Sequence, residues 1–69
     1  MKKKIFLKTG REESIKRFHP WIFSGAVKYM DSNINEGDIV VVYSSGGEFL
    51  CTGHYEQGSI AVRILTFVD

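Results

Sequence analysis

The stretch D-I-V-V-V-Y-S-S-G-G-E-F-L-C-T-G-H-Y, Asp38 to Tyr55, reads as a strand, a tight turn and a returning strand. Asp38 to Tyr43 is rich in β-branched residues with apolar side chains at successive positions, which predicts a central strand buried on both faces. Ser44 to Gly47 supplies the turn, and Glu48 to Tyr55 returns as the antiparallel partner. Gly53, inside the returning strand, predicts a bulge or sharp bend of the kind that curls a small sheet.

Outward from this hairpin, the same grammar repeats. Lys4 to Lys8 (K-I-F-L-K) predicts a first strand. Thr9, with Glu12 three residues on, has the form of a capping box opening a helix from about Gly10 to Phe18, with Ile15 and Phe18 on its buried face. His19 before Pro20 must end that helix, because the α conformation is disfavoured ahead of proline. Trp21 to Met30 reads as a turn at Ser24 and Gly25 feeding a strand, D-S-N-I-N-E-G as a loop, and Ile60 to Val68 as a last strand after a turn at Gly58 and Ser59. About five strands with one or two short helices in 69 residues predict a mainly β fold, a coiled sheet or partly open barrel.

Composition narrows the function. The chain has room for one domain, residues 1–69, and none for a second. A lone Cys51 excludes an internal disulfide framework and a multi-cysteine zinc site, which suits a reducing compartment, the cytoplasm. Ile5, Phe6 and Leu7 behind the N-terminal lysines are too short an apolar run for a signal peptide or a membrane span. The net charge of +1 hides a segregation: residues 1–30 hold eight basic against two acidic side chains, and residues 31–69 one basic against six acidic. A basic N-terminal half is suited to a polyanion, by counterion release.

Catalytic constellations are thin. Cys51 and His54 stand three apart in a predicted strand and so point to opposite faces, which rules out a direct dyad. Cys51 reads as a core residue, and His54 as a strand-surface or internally satisfied histidine. The paired Glu12 and Glu13 are explained by helix initiation. No cofactor or metal is expected on this chain, and no enzymatic activity of its own.

The binding residues are denser. K-R-F-H-P-W-I-F-S-G-A-V, Lys16 to Val27, sets cations, an imidazole and the only tryptophan around the only proline. Lys16 and Arg17 suit a helix C-terminus and equally a phosphate. Trp21 can stack on a base or anchor the core, whereas Phe18, Ile22 and Phe23 read as core. Ser24 and Gly25 can expose backbone N–H groups to a ligand. Arg63, in an otherwise apolar strand, calls for a partner, either Glu56 or an RNA phosphate.

G-R-E-E-S-I-K-R-F-H-P-W-I-F-S-G-A-V, with G-D-I-V-V-V-Y, F-L-C-T-G-H-Y and S-I-A-V-R-I-L, resembles the N-terminal PUA-like domain of bacterial S-adenosylmethionine-dependent methyltransferases that make 5-methylcytosine in large-subunit ribosomal RNA. The resemblance covers roughly Leu7 to Leu65. It implies a PUA-like pseudobarrel of about five strands that binds structured RNA through the helix after the first strand and the glycine-containing loop that follows. The RNA-contacting residues it suggests are Lys16, Arg17, His19, Trp21, Ser24 and Gly25, to which the charge argument adds Arg63. It also implies a parent chain whose separate catalytic domain holds S-adenosylmethionine, so that the end at Val68 and Asp69 reads as the edge of an excised domain. One departure is the connection Tyr55–Glu56–Gln57–Gly58–Ser59, tighter than the Asn-Pro turn common in that family. The alternative function is a docking module that packs on the catalytic domain without meeting RNA, with Trp21 as an anchor.

Overall fold

The computed structural model describes residues 3–16 and 20–67, without the side chains of Ser14 and Lys16. Six strands form one sheet: β1 (Lys3–Leu7), β2 (Trp21–Phe23), β3 (Val27–Met30), β4 (Ile39–Tyr43), β5 (Phe49–Tyr55) and β6 (Ile60–Thr66). Their spatial order is β2-β6-β5-β4-β1-β3. Neighbours pair antiparallel except β1 and β4, which run parallel.

The sixth strand comes from splitting the segment expected to form one. Ser24–Ala26 makes a 3-10 turn between β2 and β3, and these two short strands occupy opposite edges of the sheet. A flat six-stranded sheet would hold its edge strands about 24 Å apart. The four residue steps from Phe23 to Val27 reach at most about 14 Å. The sheet must therefore curl until its edges nearly meet, which gives a curled half-barrel with Cα extents of 26 × 23 × 20 Å. Backbone hydrogen bonds secure the link: the Lys8 N–H donates to the Ala26 carbonyl at 2.8 Å, the Ser24 N–H to Ser59 at 2.8 Å and the Ile64 N–H to Pro20 at 2.8 Å.

Inside the curl, Ile5, Leu7, Val40, Val42, Cys51 and Val62 are fully buried, with Ile15, Ile22 and Ala61 beside them. β4 lies between β1 and β5 as expected, but only its Val40 and Val42 face is buried; Val41 and Tyr43 are half-buried. The strand is central in the sheet and yet one-sided, because the curl gives the sheet an outer surface.

The helix is shorter than predicted. It runs Glu13–Lys16 (α1), while Gly10 has a φ of 83°, a left-handed conformation that cannot continue into a helix. The capping box does not form. The Glu12 carboxylate accepts the Gly10 N–H at 2.9 Å, and the Thr9 hydroxyl donates to Ser45 Oγ at 3.2 Å. Ile15 is buried as expected, and Phe18 lies outside the described residues.

The hairpin turn forms as read. Ser44 and Glu48 close it, the Gly47 N–H donates to the Ser44 carbonyl at 3.0 Å, and the Glu48 N–H donates to Ser44 Oγ at 3.1 Å. The pairing of β5 with β6 shifts register at Thr52 and Gly53, where the sequence placed a bulge. A Cβ on Gly53 would collide with the Arg63 carbonyl oxygen and lie 2.8 Å from Val62 Cγ1. Only glycine permits this approach of β5 to β6.

Two measurements check this packing. Gly53→Ala should destabilise the fold by about 1–3 kcal/mol, which for so small a domain lowers the melting temperature by roughly 5–20 °C. Gly46→Ala, whose Cβ would meet only Ser44 Oγ at 3.8 Å, should stay within about 0.5 kcal/mol of the parent. Burial pushes the Cys51 thiol up to about 12 from an ordinary 9.0. The folded state then keeps a proton that the unfolded state loses, so this group costs stability as pH rises above 9.0 toward 12. A thiol reagent at pH 8 should leave native Cys51 unmodified and react fully in guanidinium.

Candidate nucleic-acid interface

The link that closes the sheet also shapes a concavity. A cleft of about 260 Å³ lies between the turn after β1, α1, β2 and the 3-10 turn, lined by Gly10, Arg11, Ile15, Trp21, Ile22, Phe23, Gly25 and Ala26. Ile15 and Ile22 form its floor at 3% exposure each, whereas Trp21 and Phe23 stand at its rim, 39% and 53% exposed. Strand alternation explains the division: Trp21 and Phe23 point outward from β2 while Ile22 points into the core.

Trp21 sits opposite Arg63 in the β2–β6 ladder. The Arg63 guanidinium carbon lies 5.9 Å from the indole centroid, within cation–π range. Arg63 Nε donates to Glu56 Oε2 at 2.7 Å, and this hydrogen bond and charge raise the Arg63 pKa above its ordinary value. The sequence left Arg63 between Glu56 and an RNA phosphate. The structure gives it Glu56 and leaves it exposed. Glu56 thus steadies the cation that lies against Trp21.

The remaining expected residues divide by what the structure describes. Ser24 and Gly25 are exposed, and Gly25 lines the cleft. The Ser24 N–H is engaged by the Ser59 carbonyl, so it does not serve a ligand as anticipated, while a Cβ on Gly25 would find nothing within 4 Å. Lys16 ends α1; Arg17 and His19 lie outside the described residues. Trp21 resolves to the surface, and Phe23 overturns its reading as core.

Arg11 and Gly10 were not singled out by sequence. Their place depends on the chain returning through Ser24–Ala26 against the end of β1, a long-range contact that no local pattern announces. Phe23 was findable, since it stands two residues from Trp21 and so shares its face.

Cationic side chains at Lys8, Arg11 and Lys28 are exposed on the same N-terminal half. Cys51 is fully buried against β4, and His54 pairs across the sheet with Ile39 and Arg63, so the two do not meet. Among the described residues no three His, Cys, Asp or Glu side chains gather as a metal site, and no helix is long and apolar enough to cross a membrane.

Comparison with known proteins agrees with this geometry. Ribosomal RNA large subunit methyltransferase I of Pseudoalteromonas translucida is 41% identical over 64 residues, 91% of this chain and 16% of the relative. The proteins of the same name from Escherichia coli and Photobacterium profundum are 40% and 42% identical, over 97% and 91% of this chain and 17% and 16% of their own lengths. The chain spans about a sixth of the length of the curated relatives it matches. The model of the PUA-like domain matches residues 5–67, nearly every strand residue described above, and the chain therefore belongs to the PUA-like domain family.

Proposed function

We propose that this chain is an RNA-binding domain that positions structured large-subunit ribosomal RNA for an S-adenosylmethionine-dependent cytosine methyltransferase domain carried elsewhere in a parent protein of the cytoplasm. The observation that carries this reading is the pair of exposed aromatic rings at the rim of a cleft that Arg11 lines, with the Arg63 guanidinium against one of them. Aromatic faces stack on bases, and guanidinium groups donate hydrogen bonds to phosphate oxygens. Trp21 is exposed, as a stacking ring and a docking anchor must both be, and it is the exposed cations Lys8, Arg11 and Lys28 of the basic N-terminal half that favour RNA over the docking alternative.

S-adenosylmethionine is the methyl donor of the proposed parent enzyme. The cleft does not fit it: among the described residues its lining offers no carboxylate to a ribose, and its volume falls below the roughly 300–1,000 Å³ of cofactor sites. The chemistry is assigned to the other domain. This chain contributes affinity and orientation, raising the local concentration of RNA at a neighbouring active site.

Trp21 is the only tryptophan and reports directly on the cleft. Titration with a large-subunit ribosomal RNA hairpin should change its fluorescence, and binding should weaken steeply with salt. Trp21→Ala should lower affinity about tenfold or more. Arg11→Gln, like neutralisation of Lys16 and Arg17, should reduce the salt slope by about one per charge. Binding that ignores salt would sink the proposal.

A further inference from the structure

A second aromatic surface lies apart from the cleft and shares no residue with it. On the outer face of the sheet, Tyr29 of β3, Phe6 of β1, Tyr43 of β4 and Phe49 of β5 form a row across four adjacent strands. Ring centroids are 6.0 Å apart for Tyr29 and Phe6, 5.2 Å for the stacked pair Phe6 and Tyr43, and 6.5 Å for Tyr43 and Phe49.

Two irregularities build this row. The β4–β5 register shifts between Val42 and Tyr43, pairing Cys51 with Val42 but Phe49 with Tyr43. The extra residue, Leu50, lets Cys51 stay in the core while Phe49 joins Tyr43 outside. On the other side the β1–β3 register shifts at Phe6 and Leu7, leaving Lys28 as the extra, exposed residue beside Tyr29. Sheet stability alone does not require a bulge at each end of an aromatic row.

The surroundings are cationic. Lys4 Nζ lies 6.0 Å from the Tyr43 centroid, Lys4 and Lys28 are exposed, and Lys3 precedes them on β1. The nearby acids stand beside the end rings in sequence: Asp31, whose carboxylate accepts the Lys4 backbone N–H at 2.9 Å, and Glu48 at the hairpin. Tyr29 remains 57% exposed.

We propose that this row is a stacking platform for unpaired RNA bases, with Lys4 and Lys28 holding the flanking phosphates. A sheet face bearing one exposed ring, three half-buried rings and adjacent cations matches the chemistry of single strands, whose bases are free to splay, and not that of a closed duplex. The inference takes its ligand class from the RNA-binding reading but assigns a separate site. The cleft would grip a structured element while the outer face holds a strand leaving it.

The test uses an eight-nucleotide oligouridylate and the Trp21→Ala variant, so that the cleft is disabled while the outer face is intact. The oligonucleotide should shift the ring-proton resonances of Tyr29 and Tyr43 in this variant as in the parent. Adding Tyr29→Ala should lower its affinity about tenfold, while Tyr29→Phe, which keeps the ring, should stay within about twofold. Lys4→Gln with Lys28→Gln should reduce the salt slope by about two. Unmoved tyrosine resonances, or an affinity that survives Tyr29→Ala, would overturn the platform and assign the face to a protein partner. Neither result bears on hairpin binding at Trp21, which is read separately.

Discussion

Three residues, Ser24 to Ala26, join strands that belong to opposite edges of a six-stranded sheet. The short tether and the width of the sheet are incompatible unless the sheet curls, and almost every other feature follows from that curl. It gives each strand an inner and an outer face, so that β4 is one-sided despite its unbroken apolar run. It brings β1 against β4 in parallel, because the chain crosses the sheet through β2 and β3 before returning. It also lays the tether against the end of β1, and the concavity between them is the cleft.

The curl further decides where aromatic residues go. A half-barrel of this width has an interior for aliphatic side chains, and its fully buried set is Ile, Leu, Val and Cys. Among the described residues no Phe, Tyr or Trp falls in the buried class. Tyr55 and Phe67 pack partly buried against this core, and the other described rings stand at the rim of the cleft or on the outer face. Surface rings of this number are a packing consequence first. Their arrangement beside cations, at two separate places, is what turns that consequence into recognition chemistry.

The hairpin from Asp38 to Tyr55 was legible because its signals are local: β-branched runs, a Ser-Gly turn, and a glycine where two backbones converge. Ile15 and Cys51 were legible as core for the same reason. The sixth strand was not, since Trp21 to Met30 carries strand composition on both sides of a weak turn, and only the sheet order shows that its halves part company. The helix was read too long because Thr9 and Glu12 match a capping box in spacing, whereas Gly10 in a left-handed conformation diverts both side chains to other partners. At the candidate site, Trp21 and Gly25 follow from composition. Arg11 does not, because most of the residues that line the cleft with it, Trp21 to Phe23, Gly25 and Ala26, stand ten or more positions away. Phe23 was assigned to the core on its hydrophobicity, when the two-residue period from Trp21 places it outside.

The same backbone irregularity that shapes the core also positions the cation that lies against Trp21. Gly53 lets β5 approach the Arg63 carbonyl closely enough to shift the register of β6, and Arg63 is the residue that faces Trp21 across the next ladder. Glu56, just beyond the end of β5, then fixes the guanidinium from the other side. Trp21 is thus held from the sheet's interior outward, through a glycine contact, a strand register and an ion pair. An exposed pair of this kind contributes little to stability. Its effect is to restrict a long side chain to one place against the indole, so that less conformational freedom remains to be lost when a ligand arrives. In a fold with so small a core, orientation of surface groups by strand register is the available route to a preorganised site.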